Sequence, residues 1–189
     1  MQHNDIKYGF ISDFEDPFNV YLLGLWWADG HVNKDFVVHS CIYEDAEWMM
    51  PIISGWGVKT TYKAKPKGSR PQWTMRINSI NLSRFLMEYD YHIKSGTSPD
   101  KLLSEIPEEL HYLWWRGYFD GDGSLKLAPG LALTFSSTYK QDWSFFHDIM
   151  KKLEIPQYHI KRQSYYGDTC SIASLHAARH VIKLCDYMY

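Results

Sequence analysis

Apolar residues recur at helical spacing at Phe18, Tyr21, Leu22, Leu25 and Trp26, and this predicts a helix. Asp16 ahead of them suits an N-cap, Pro17 suits the first turn, and Gly30 suits the stop. The next stretch, "HVNKDFVVHSCIY", alternates like a strand or a hairpin around "NKD". "EDAEWMMPIISGWG" gives a helix that Pro51 either begins or interrupts. "KTTYKAKPKGSRPQWTMRIN" predicts two strands joined by a Pro/Gly turn, and "SINLSRFLMEYDY" a helix opening at a Ser or Asn cap.

The same order then returns. A helix opens at Pro107 and runs to Asp122-Gly123. "SLKLAPGLALTFSS" predicts a hairpin turning at Pro129-Gly130, and "YKQDWSFFHDIMKKLEI" an amphipathic helix. "QYHIKRQSYYGDTCSIAS" is a second hairpin, and "SLHAARHVIKLCDYMY" closes as a helix. Residue matches support a repeat: Trp48 over Trp143, Ile77 over Ile172, Ser79 over Ser174 and Arg84 over Arg179. The fold class expected is α+β, two pseudo-symmetric halves of order αββαββα. The halves span residues 1–93 and 107–189, with residues 94–106 as linker.

The predicted opening helices carry the clearest repeat. "LLGLWWADGHV" (Leu22–Val32) and "LWWRGYFDGDGSL" (Leu113–Leu125) coincide at Gly24/Gly117, Asp29/Asp122 and Gly30/Gly123. Gly24 and Ala28 are four apart, as are Gly117 and Gly121, so each pair shares a helix face. Small residues there let two backbones approach, which predicts that the two helices pack on each other. Asp29 and Asp122 then become neighbours at two helix C-termini, where partial negative charge already sits. Two adjacent carboxylates repel, and a divalent cation such as Mg²⁺ removes both difficulties. One Asp-Gly after a helix reads as a turn; two matched copies favour the site.

Charge is unevenly spread. The net charge of −2 gives no signal for nucleic acid as a whole. From Trp48 to Met87, however, the chain has seven bases and no acid. Five of them, Lys59, Lys63, Lys65, Lys67 and Arg70, lie in "KTTYKAKPKGSR". That block is either a phosphate-facing surface or a solvated loop. At 45% hydrophobic and 16% aromatic the chain can bury a core. No apolar run reaches the roughly 20 residues of a membrane span. Cys41, Cys170 and Cys185 are too scattered for a disulfide framework or a CxxC site and read as reduced thiols in a cytoplasmic protein. His176 and His180, four apart on a predicted helix, lack the acid of an HExxH site. Trp26, Trp27, Trp114 and Trp115 read as core and interface packing rather than base-stacking platforms.

"LLGLWWADG" and "WRGYFDGDG" resemble the nine-residue motif of the LAGLIDADG homing endonucleases, and two copies in one chain resemble its single-chain, monomeric form. The second copy is the more typical, with Asp120 at the sixth position where the first has Trp27. The resemblance implies two antiparallel four-stranded sheets forming a saddle along double-stranded DNA, with the motif helices at the interface between halves. It implies a metal-dependent double-strand break with short 3′ overhangs, promoting mobility of the protein's own intron or gene. Asp29 and Asp122, with the carbonyls of Ala28 and Gly121, would hold Mg²⁺ or Mn²⁺. Lys63 and Lys161, and more weakly Gln72, are nominated by position as the basic and amide residues around the metals. Lys59, Lys65, Lys67, Arg70, Gln72 and Arg76 would contact DNA from one half, and Lys126 and Arg162 from the other. Each half following about one duplex turn implies a target on the order of 20 bp. An isoelectric point near 6.5 is low for this family. The rival expectations are an intron-RNA-binding maturase and a non-cleaving DNA-binding regulator on the same fold. A chain encoded in an organelle would work in that interior rather than the cytoplasm.

Overall fold

A computed structural model describes residues 11–55, 59–65, 72–127, 130–165 and 168–189. The described elements follow the predicted repeat. The first series is α1 (Pro17–Asp29), β1 (Gly30–Val32), β2 (Val37–Ile42), α2 (Tyr43–Gly55), β3 (Lys59–Lys65), β4 (Gln72–Asn78) and α3 (Ile80–Glu88). A short α4 (Asp100–Leu103) lies between the series. The second runs α5 (His111–Asp122), β5 (Gly123–Lys126), β6 (Ala132–Thr138), α6 (Ser144–Lys152), β7 (His159–Tyr165), β8 (Asp168–Leu175) and α7 (Ala178–Met188). Each series makes one antiparallel sheet, in the orders β1-β2-β4-β3 and β5-β6-β8-β7.

Local signals explain most boundaries. The Asp16 carboxylate accepts from the backbone N–H groups of Phe18 and Asn19 at 2.8 and 3.1 Å, which caps α1 as its sequence suggested. Ser79 caps α3 by accepting from the Leu82 N–H at 3.1 Å. α2 continues through Pro51 rather than stopping there. Ala46, Met49 and Ile53, at most 1% exposed, give it a buried stripe that outweighs the lost hydrogen bond. His176 lies ahead of α7, so it and His180 share no helix face; its Nε2 sits 3.1 Å from the Ser174 hydroxyl, while the His180 ring is buried.

The chain divides into two compact units, one joining the residues up to Phe14 with Asp29–His92, the other joining Glu15–Ala28 with Ile93–Tyr189. In the first unit the sheet buries Val37, His39, Met75 and Ile77 on one face, and α3 adds Leu82, Phe85 and Leu86. Phe14 meets Phe85 and Tyr89 at ring distances of 6.1 and 5.7 Å. In the second unit the core is aromatic. Tyr118 stacks on Phe135 at 5.3 Å, and Trp115 stacks on Phe145 at 5.3 Å. Trp26, Trp27, Trp114 and Trp115 are all at most 2% exposed, as the packing reading of the tryptophans expects.

Strand registers fix which residues of the two series correspond. Gly30 pairs with His39 and His39 with Met75; Gly123 pairs with Phe135 and Phe135 with Ala173. Met75 therefore corresponds to Ala173, and Ile77 to Leu175 rather than to Ile172. Ile77 and Leu175 are both fully buried, whereas Ile172 is on the other parity of its strand. The match by residue identity is displaced because a Cα ladder, not identity, sets the equivalence. The same ladder makes Lys63 and Lys161 true counterparts: Lys63 pairs with Thr74 and Lys161 with Ile172, each next to the matched Met75 and Ala173.

Candidate active site

The site begins with a helix pair inside the second unit. α1 is apolar on all sides and buries Leu22, Leu23, Leu25, Trp26 and Trp27. A Cβ on Gly24 would lie 2.0 Å from the Trp114 carbonyl oxygen, and one on Gly117 would lie 2.1 Å from the Tyr21 carbonyl oxygen. When Gly24 is set over Gly117, Tyr21 falls over Trp114, so the two contacts are one contact made twice with the roles exchanged. The glycines are needed because the backbones touch, not for an unusual dihedral. Gly123 is crowded in a similar way: a Cβ there would lie 2.3 Å from the Phe119 carbonyl oxygen, whose partner is the Gly123 N–H.

The sixth motif position has a definite job in the second copy. Asp120 accepts a hydrogen bond from Tyr21 Oη of α1 at 2.9 Å and another from Tyr189 Oη beyond α7. The Arg116 guanidinium lies 4.6 Å over the Tyr189 ring. Burial, then the bond to and charge of Asp120, hold the Tyr189 phenol far above its ordinary range. Trp27, at the sixth position of the first copy, instead meets Trp114 at a ring distance of 6.3 Å. Asp120 thus ties three segments together and leaves Asp122 as the terminal carboxylate of α5.

Asp122 lines a cavity of about 410 Å³ with Ala28, Lys94, Ser136, Ser137 and Gln141 among its other walls. The fully buried Tyr118 phenol is held well above its ordinary value, first by burial and then by the Asp122 charge, so it stays neutral. The Ala28 carbonyl, expected among the ligands, accepts from the Lys94 ammonium at 2.5 Å. The sequence places Lys94 only in the linker. No spacing marks it, since its role comes from where residues 94–97 are pinned. Asp29, the last residue of α1, is grouped with the first unit, and Gly121 is the penultimate residue of α5.

Among the described residues no group of three or more His, Cys, Asp or Glu could hold a metal. A soft or all-protein metal centre therefore does not fit them. The oxygen donors lining the cavity, the Asp122 carboxylate, hydroxyls and an amide, suit a hard cation keeping several waters, and the Lys94 ammonium stands among them.

The remaining candidates sort by strand parity. Lys59, Lys63 and Lys65 of β3 pair with Asn78, Thr74 and Gln72 of β4, and Arg76 pairs with Thr61. Lys59, Lys63, Lys65, Gln72 and Arg76 therefore occupy register positions on one face, opposite to buried Met75 and Ile77. The Arg76 guanidinium lies 3.6 Å over the Phe36 ring, and its Nε donates to Asn78 at 2.9 Å. Lys67 and Arg70 lie outside the described residues. In the second sheet Lys126 and Lys161 share the corresponding face and are exposed. Arg162 has the other parity and donates to the Tyr139 and Gln141 carbonyls at 3.0 and 3.3 Å.

No family model matches the sequence. No curated protein matches it either. Solved structures do match in fold. Variants of the homing endonuclease I-DmoI match at TM-score 0.57 and 16% identity, over 91% of this chain and 94% of theirs. I-DmoI in complex with DNA and Ca matches at 0.57 and 14%, over 91% and 88%. Full-length WhiA from Thermatoga maritima matches at 0.57 and 11%, over 94% of this chain. The chain spans 56% of the length of that WhiA. The fold is thus the LAGLIDADG fold, α+β with two antiparallel sheets. Among the described residues, no helix is long and apolar enough to cross a membrane.

The bonds to Asp120 give a test at alkaline pH. An unfolded tyrosine ionises near pH 10, and a raised folded value means the neutral phenol stabilises the fold. That contribution is complete below about pH 10 and fades as pH rises toward the folded value. Asp120→Asn should lower the titration of Tyr189 in an ultraviolet absorbance titration, with Tyr189→Phe identifying the step. A Tyr189 step that does not move in Asp120→Asn would break the assigned bond.

Proposed function

We propose that the chain binds double-stranded DNA along the open faces of its two sheets and hydrolyses one phosphodiester on each strand. The carrying observation is the parity of the first sheet, which sets Lys59, Lys63, Lys65, Gln72 and Arg76 on one face. A basic strand pair of this width fits the major groove, where base edges are distinguishable. Lys126 and Lys161 play the corresponding part in the second sheet, and Arg162 braces the Tyr139–Gln141 turn. The neighbours solved with DNA together with Ca or Mn support the same partner and a divalent ion.

In this reading Asp29 and Asp122, each the last residue of its motif helix, hold the divalent ions, Mg²⁺ or Mn²⁺, with the Gly121 carbonyl, one carboxylate serving each strand. A bound divalent ion supplies Lewis-acid stabilisation of the attacking and leaving oxygens. Lys63 and Lys161, at equivalent ladder positions, neutralise the phosphates beside the cut. The duplex target is of the order of 20 bp, the working form is a monomer, and the break serves the mobility of the encoding intron or gene. Binding without cleavage is the second reading. It is favoured by the bond between Ala28 and Lys94, which occupies an expected ligand.

Duplexes carrying a randomised insert, selected for binding in Ca²⁺ and then given Mg²⁺, separate the readings. The parent should cut both strands of the selected duplexes. Asp29→Asn and Asp122→Asn should bind them and fail to make the double-strand break. A full-rate double-strand cut by either variant removes the role given to that aspartate. Binding with no cut by the parent leaves the regulator reading.

The sheet face has its own test. Replacing Lys59, Lys63 and Lys65 with Glu should weaken binding to all duplexes. The slope of log K against log salt should become shallower by about 0.9 for each phosphate that is no longer neutralised. An unchanged slope and affinity would mean that this face is simply solvated.

A further inference from the structure

The last turn of α1 presents the carbonyls of Trp26, Trp27, Ala28 and Asp29, at the end where a helix runs out of its own N–H donors. The Lys94 ammonium donates to the first three at 3.2, 2.5 and 2.5 Å. An ammonium has three protons, enough for all three carbonyls. The same helix end carries the negative pole of the macrodipole, which a cation offsets.

Lys94 is held in place by a network of its own. It opens a 3₁₀ turn closed by the Gly96 N–H on the Ile93 carbonyl at 2.9 Å. Thr138 Oγ1 donates to the Ser95 carbonyl at 3.2 Å. Gln141, only 2% exposed, donates to the Thr97 carbonyl at 3.0 Å and accepts from Ser137 at 2.9 Å. The end of β6 and the turn after it therefore fix residues 94–97 from one side, while α1 receives the ammonium from the other.

We propose that Lys94 is a resident cation that takes the place of a divalent ion at the end of α1 and keeps such an ion off the Ala28 carbonyl. An ammonium already on that oxygen repels a second cation, and the repulsion is strong in a partly buried cavity. The requirement for divalent ions is thereby confined to the carboxylates. Lys94 acts as a positioning residue: it completes and orients the last turn of the helix that presents Asp29. The inference takes the divalent ion from the proposed function, but its test uses the protein alone, without DNA or cleavage.

The parent and Lys94→Met are melted in EDTA and in millimolar Ca²⁺, and Mn²⁺ binding is followed by electron paramagnetic resonance. The parent should melt at nearly the same temperature in both buffers. Lys94→Met should melt lower in EDTA, recover part of the difference in Ca²⁺, and bind Mn²⁺ roughly tenfold tighter, the effect expected from removing one nearby positive charge. Where Lys94→Met does not fold, Lys94→Gln and Lys94→Arg carry the test. Gln keeps donors and removes the charge, so it should bind Mn²⁺ more tightly, while Arg should resemble the parent. Equal Mn²⁺ affinity in the parent and the charge-free variant overturns the proposal, even if the variant melts lower, because the lysine would then only cap the helix. A protein that never cuts DNA but shows the Mn²⁺ gain sinks the nuclease reading and leaves this one standing.

Discussion

The meeting of the α1 and α5 backbones governs the rest of the second unit. Gly24 lies against Trp114, and Gly117 lies against Tyr21, with no room for a Cβ on either glycine. Helices this close share one set of neighbours. The aromatic core of Trp114, Trp115, Tyr118, Phe135 and Phe145 is built on α5, and Trp27 of α1 joins it. The proposed chemistry sits at the ends of these two helices.

The two helices are alike in their seam and unlike in what completes them. The end of α1 receives an ammonium, whereas α5 carries Asp120 near its own end and uses it to hold Tyr21 and Tyr189. A repeat that preserves its seam has therefore diverged around it. The departure at the sixth motif position follows the same logic. Trp27 fills space against Trp114, and the phenol–carboxylate tie is made once rather than twice. The charge distribution diverges too: the first sheet carries its bases in alternation along β3, while the second offers Lys126 and Lys161 and commits Arg162 to backbone carbonyls.

Much of this was legible from residue types. α1 begins at Pro17 behind an Asp16 cap and ends at Asp29 because caps and breakers act over a few residues, within the range a sequence shows. Gly24 and Gly117 were legible because glycines recur there at matched positions of the two predicted helices. The order of elements followed from periodicity. The equivalence of Ile77 with Leu175 was not legible, since it depends on ladder pairing across strands. The run of α2 through Pro51 depends on tertiary burial of Met49 and Ile53. Lys94 was hidden for the same reason: a lysine in a Gly/Ser-rich connection looks solvated until Thr138 and Gln141 fix the segment around it.

The sign of one stability change shows whether α1 and α5 meet through their glycines. In a helix interior without a close neighbour, replacing Gly with Ala stabilises by about 1 kcal/mol. If the backbones of α1 and α5 touch at Gly117, the new methyl must instead force them apart, and overpacking of this kind costs about 1–3 kcal/mol. Urea unfolding of Gly117→Ala should therefore give a midpoint below that of the parent. A midpoint raised above the parent would mean that the methyl is accommodated, and the two helices would not meet through their glycines.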